Sequence, residues 1–139
     1  MSFKSNLINI VLVETSHPGN IGSVARAMKT MGLSSLSLVN PRKFPSGEAN
    51  ALSGNAGDLL ENAQIFSSIE DAIKDSTFVY ATSSRSRTIQ WPTVHAEEGA
   101  SLINDQVTSD KKVSILFGRE DRGLTNEELQ LANTHIEIP

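Results

Sequence analysis

The chain has 139 residues, 38% of them hydrophobic but only 5% aromatic, which suits a single domain with an aliphatic core. Its formal net charge of −4 at pH 7 excludes a protein that grips nucleic acid by bulk charge alone, though not one with a local basic patch. It contains no cysteine, which excludes disulfides, thiolate zinc sites and cysteine nucleophiles.

In chain order, the pattern predicts alternating strands and helices. "INIVLV" (8–13) is apolar and β-branched and reads as a buried strand. Ile21, Val24, Ala25 and Met28 then fall at helical spacing, with Asn20 as the expected N-cap and Gly32 as the stop. "LSLV" (36–39) reads as a second strand, ended by Asn40-Pro41. Residues 41–63 are looser, with short helical pieces expected around 48–52 and 58–62. "QIF" (64–66) is a short strand. Ser67 to Glu70 has the form of a capping box and opens a helix to about Lys74. "TFVYAT" (77–82) is a strand, followed by the polar, basic "SSRSRTIQWP". A helix is expected near 97–104, then the buried strand "KVSILF" (112–117) and the loop "GREDRGL". A second capping box at Thr125 to Glu128 starts a helix through about Ala132, and "HIEI" begins a last strand. Strands alternating with helices, near-continuously apolar, imply an α/β fold: a mostly parallel sheet with helices on both faces. Such sheets bind ligands beyond the carboxyl ends of their strands, where the loops after Val13, Tyr80 and Phe117 lie.

The three His residues are widely spaced and show no metal-ligand pattern, so no metal is expected. The longest apolar run is too short to span a bilayer and no signal peptide is evident, so a cytoplasmic protein without a membrane partner is expected.

Three stretches could carry chemistry. "HPGNIG" (17–22) sits at a strand-to-helix turn, where backbone N–H groups and a helix N-terminus face the ligand edge. It lacks the Lys-Ser/Thr of a phosphate loop and the third Gly of a dinucleotide fingerprint, and an ordinary tight turn is equally consistent with its spacing. Arg26 lies on the polar side of the following helix. It could clamp a phosphate, or be a plain solvated side chain. "GREDRGL" (118–124) brackets Arg119, Glu120 and Arg122 between two glycines directly after a buried strand. A charged surface turn would look the same, but the position favours a binding loop. "TSSRSRTIQWP" (82–92) sets Arg85 and Arg87 beside Trp91, a combination used on RNA phosphates and bases. The alternative is a polar loop with Trp91 tucked into the core.

Together these stretches resemble the SpoU–TrmD (SPOUT) superfamily of knotted, S-adenosylmethionine-dependent RNA methyltransferases. Asn20-Ile-Gly22-Ser-Val-Ala-Arg26 looks like its first motif, Asn-x-Gly-x-x-x-Arg. Phe117-Gly118-Arg-Glu120-Asp-Arg-Gly123-Leu124 looks like its second, Phe-Gly-x-Glu-x-x-Gly-Leu. The likeness covers nearly the whole chain, so residues 1–139 are expected to form one SPOUT methyltransferase domain. The wording "VLVETSHPGNIGSVARAMKTMGL" is nearest to the tRNA branch, which implies 2′-O-methylation of the cytidine or uridine at anticodon-loop position 32 in tRNA. The resemblance implies S-adenosyl-L-methionine as cofactor, held by Thr82, Ser83, Ser84, Gly118, Glu120, Gly123 and Ile138. It implies Arg26 as the catalytic or substrate-clamping residue and a homodimer as the working form. Asn20, Arg26, Arg85, Arg87, Arg119 and Arg122 would face RNA. Because a guanidinium is protonated at any working pH, Arg26 reads more readily as a clamp than as a base.

In the family, a loop and helix with a Ser-Leu-Asn signature complete the knot. This sequence stops at "IEIP", so the C-terminal knot segment is expected to be missing and the chain inactive alone. Two other readings compete: ribosomal RNA as the substrate, and a non-catalytic RNA- or nucleotide-binding module on the same loops. A nucleotide-dependent oxidoreductase would need a full Gly-rich fingerprint and an acidic residue after the second strand, where "NPRK" stands.

Overall fold

In the computed structural model, seven strands among the described residues form one sheet in the order β3-β2-β1-β6-β4-β7-β5, and every pairing between them is parallel. The described residues are 5–42, 44, 52–83, 91–120 and 122–137. The strands are β1 (Ile8–Val13), β2 (Ser35–Val39), β3 (Gln64–Phe66), β4 (Phe78–Ser83), β5 (Thr93–His95), β6 (Val113–Phe117) and β7 (Thr134–Glu137). The helices are α1 (Pro18–Met31), α2 (Gly57–Glu61), α3 (Ile69–Ile73), α4 (Ala96–Thr108) and α5 (Asn126–Leu129), and a 3-10 turn spans Ser5–Leu7.

β1 is buried at all six positions because it lies between β2 and β6 with helices on both sides, which is why its residues are apolar apart from Asn9. Ile21, Ala25 and Met28 of α1 pack with Leu59 and Leu60 of α2 and Ile103 and Val107 of α4 on one face. Ile69 of α3 and Leu129 of α5 cover Val11, Val13, Val79 and Leu116 on the other. The expected parallel sheet with two covered faces is therefore present.

Five local expectations shift, the simplest being α5, which ends at Leu129 rather than near Ala132. The N-cap of α1 is His17, in extended conformation, and Asn20 lies inside the first turn with its N–H on the His17 carbonyl at 3.0 Å. Pro18 explains the earlier start, since its fixed φ suits the first helical position and that position needs no N–H. The cap of α3 is Ser68, not Ser67: its hydroxyl accepts the Asp71 N–H at 3.1 Å. α4 runs from Ala96 to Thr108, longer than expected at both ends. β5 was not expected at all, because "TVH" is short and lies at the sheet edge, where few apolar side chains are required.

Other expectations stand. Gly32 ends α1 at φ 77°, its N–H on the Lys29 carbonyl and that of Leu33 on Met28, a closure that needs a left-handed residue. Thr125 and Glu128 make both bonds of a capping box, at 2.7 and 3.2 Å. The 58–62 piece is α2, and of the 48–52 piece only Leu52 falls among the described residues, where it is helical.

Candidate active site

β1, β6, β4 and β7 are consecutive in the sheet, so their carboxyl ends open onto one edge. Ala81 pairs with Leu116 and Ser83 with Glu137, which sets Ser83 beside the start of the Gly118 loop on one side and the end of β7 on the other. The Thr82 hydroxyl donates to the Leu116 carbonyl at 3.0 Å, so β4 is tied to β6 at this edge by a side chain as well as by the ladder.

The loop after β6 curls back on itself. The Gly123 N–H reaches the Arg119 carbonyl at 2.7 Å, with Gly123 at φ 70°. A Cβ at Gly118 would lie 2.2 Å from the Gly123 carbonyl carbon and 2.3 Å from the Leu124 nitrogen. The close approach of its own loop is enough to require a glycine at 118. The loop then runs into the buried Leu124 and the α5 capping box.

Glu120 projects from this loop to the start of α1. Its carboxylate accepts the Ser16 N–H at 3.3 Å, the Ser16 hydroxyl at 3.2 Å and the His17 N–H at 3.0 Å, and the Asn20 side chain also bonds to it. The α1 N-terminus has no side-chain cap of its own, and this distant carboxylate stands in for one. Burial pushes the Glu120 carboxyl up, but the bonds from its own backbone, Asn20, His17 and Ser16 outweigh that and hold it below its ordinary value. The two sequence motifs are thus one hydrogen-bonded unit.

Arg26 lies six residues beyond Asn20 on α1, about 120° away around the helix axis. It is exposed and its side chain passes over Gly54. One turn on, Lys29 pairs with Asp58 at 3.0 Å, where the ammonium holds the exposed carboxylate below its ordinary range. The flank of α1 on Asn20's side instead borders an apolar groove of about 430 Å³ over β1 and β6, with Leu12, Met28 and Phe117 in its lining. Glu14, at the end of β1, holds a left-handed backbone (φ 52°), with its N–H on the Val39 carbonyl at 2.8 Å.

Asn20, Glu120, Gly118 and Gly123 are therefore gathered in one unit, with Thr82 and Ser83 beside it. Arg119 and Arg122 ride on the same loop, half-buried and exposed respectively. Ser84, Arg85, Arg87 and Ile138 fall outside the described residues. Trp91 is half-buried: its ring stacks on His135 at 5.9 Å and its Nε1–H donates to the Ala132 carbonyl at 2.7 Å. His135 Nε2 lies 2.7 Å from the Leu129 carbonyl, so the two rings close the end of α5. The roles of Ser16 and His17 are not legible in the sequence, because nothing local marks a backbone N–H as the partner of a residue a hundred positions away.

Residues 7–139 match the family model described as the SpoU rRNA Methylase family. The chain belongs to that family. As a SpoU-family chain it is 50% identical over 132 residues to the "tRNA (cytidine/uridine-2′-O-)-methyltransferase TrmJ" of Sodalis glossinidius, covering 95% of this chain and 51% of that one. It is 47% identical, at the same coverage, to the "tRNA (cytidine/uridine/adenosine-2′-O-)-methyltransferase TrmJ" of Pseudomonas aeruginosa. It superposes on the crystal structure of TrmJ from Z. mobilis ZM4 with a TM-score of 0.89 and 37% identity, covering 94% of this chain and 58% of that one. The SpoU-family chain spans about half the length of the curated relatives it matches.

Proposed function

We propose that this chain is the catalytic domain of an S-adenosylmethionine-dependent tRNA ribose 2′-O-methyltransferase acting on the cytidine or uridine at anticodon-loop position 32. The observation that carries the reading is the Glu120 carboxylate on Ser16 and His17, which makes one preorganised unit of the two motifs that define the family. The names of the relatives favour tRNA and the ribose 2′ position.

The residues present fit the cofactor. Three adjacent strand ends supply backbone groups at one edge, the Gly118–Gly123 loop is held in a fixed curl beside them, and Thr82 keeps that edge closed. Thr82, Ser83, Ser84, Gly118, Gly123 and Ile138 would hold it, with Glu120 keeping their loop in place. When bound, it supplies an electrophilic methyl group on a sulfonium. Glu120 acts here through the fold of the loop, since its oxygens are already engaged by Ser16 and His17. Asn20 holds Glu120 from the α1 side.

Arg26 presents a fixed positive charge on an exposed helix flank. In this role it grips the phosphate next to the target ribose, orients the 2′-hydroxyl and offsets the negative charge that grows on that oxygen. The proton leaves to a substrate phosphate or to water. Arg85, Arg87, Arg119 and Arg122 add local positive charge on a chain that is acidic overall. The working form is a homodimer in the cytoplasm. No helix among the described residues is long and apolar enough to cross a membrane.

The test is transfer of labelled methyl from S-adenosylmethionine to unmodified tRNA, using the product of the complete natural gene beside the 139-residue chain. Label in the ribose of the position-32 nucleoside is expected from the complete product. A second reading, a ribosomal RNA substrate, is favoured only by the description of the family model. Label in ribosomal RNA alone would establish it. No label in either RNA from a folded protein would leave a non-catalytic RNA-binding module.

A further inference from the structure

The side of α1 away from the apolar groove approaches the segment 52–58 at two points. One is the Lys29–Asp58 pair at 3.0 Å. The other is Arg26 against Gly54: a Cβ built on Gly54 would stand 3.8 Å from both Cδ and Nε of Arg26. Gly54 itself sits at φ +61°, just after the helical Leu52 and Ser53. The Ala56 N–H closes the turn on the Ser53 carbonyl at 3.0 Å, and Ser53 and Ala56 are both buried. The turn is thus anchored at both ends while Gly54 and Asn55 between them remain exposed.

We propose that the Ser53–Ala56 turn is the rest on which Arg26 is aimed, with Gly54 a positioning residue for the RNA-gripping guanidinium. This rests on the role given to Arg26 above. The physical argument is one of side-chain freedom. An exposed arginine on a helix loses much rotamer entropy when it must hold one direction. Gly54 lies beside Cδ and Nε, so its backbone limits the directions the stem can take and its missing side chain leaves the two terminal NH2 groups open to a phosphate. A glycine answers both needs, since it accepts the left-handed backbone and puts nothing in front of the guanidinium.

The test uses the two near-isosteric residues that best tolerate a left-handed backbone after glycine. Gly54→Asn and Gly54→Asp differ only in charge, so backbone strain and added bulk are common to both. In Gly54→Asp a carboxylate stands beside Nε and captures the guanidinium. It is expected to lose about tenfold more kcat than Gly54→Asn, with unchanged S-adenosylmethionine affinity. It is expected to weaken tRNA binding in the Arg26 protein but not in an Arg26→Ala background. Equal kcat for the two variants at equal thermal midpoints would overturn the proposal. So would a tRNA-binding loss from Gly54→Asp that persists without Arg26. A further measurement needs no variant at Gly54: a nuclear Overhauser contact between the Gly54 Hα and Arg26 Hδ protons in the full natural protein, whose absence overturns the proposal. Failure of the methyltransferase reading shows separately, as no methyl transfer by the unsubstituted protein.

Discussion

The Glu120 carboxylate accepts the His17 N–H at 3.0 Å across 103 positions of sequence. That contact joins the loop after β6 to the helix after β1, strands that are neighbours in the sheet. It fixes the start of α1, and Arg26 is carried on the same helix.

Replacing Glu120 with Gln keeps the shape but presents an NH2 group to one of the two amides and removes the charge at the helix N-terminus. The expected loss is about 1 kcal/mol at neutral pH, at the low end for charged hydrogen bonds because the group is solvent-accessible. The folded carboxyl titrates below its ordinary 4.5. Its stabilisation is therefore complete above the unfolded value and is lost as pH falls through the folded one. Urea unfolding from pH 7 down to the acid range should show a shallower decline for Glu120→Gln than for the parent. Identical slopes would mean the bond contributes nothing in solution.

Gly118→Ala forces a Cβ to within 2.2 Å of the Gly123 backbone, which no rotamer can relieve. The loop must open, at a cost of about 3 kcal/mol or more if the rest of the fold holds. Loss of hydrogen-exchange protection at the Gly123 amide is the readout. An alanine variant with native protection there would contradict the observed packing.

For Arg26→Lys, charge is kept but the bidentate fork is lost. A clamp should lose about ten- to a hundredfold in kcat, with S-adenosylmethionine affinity unchanged. Near-full turnover in single-turnover assays would refute the clamp.

Asn9 is buried on β1 and serves four partners. Its Oδ1 accepts the Ser35 and Ser37 hydroxyls at 3.0 and 2.8 Å, and its Nδ2 donates to Ser114 Oγ at 3.1 Å and the Ala72 carbonyl at 3.3 Å. Asn9→Ala strands these groups in the core and should cost about 2–4 kcal/mol. The urea midpoint should fall with the slope unchanged. A midpoint within error of the parent would show that water replaces the amide.

Much of the scaffold is legible residue by residue. β1 coincides with the run at 8–13, because a strand buried on both faces is apolar except where a polar group finds buried partners, as Asn9 does. The Gly32 stop and the Thr125 capping box are equally local, since each is a bond within a few residues. β5 was hidden because a three-residue edge strand needs little apolar side-chain area, and the Asn20 cap was misplaced because Pro18 outranked it. The two motifs with Arg26, Gly118 and Glu120 were likewise open to reading, as residue types in order.

What they do to one another was not. By itself the sequence determined the parallel α/β class, most element positions and the membership implied by two motifs, all of which depend on local pattern. Only the tertiary structure decided that Glu120 caps a helix a hundred residues away, that Gly118 is required by its own loop, and that Trp91 stacks on His135. It also set Arg26 against Gly54, apart from the apolar groove on the other flank of α1. Each of these is a contact between segments distant in the chain, fixed by strand order and register, and no local spacing encodes it.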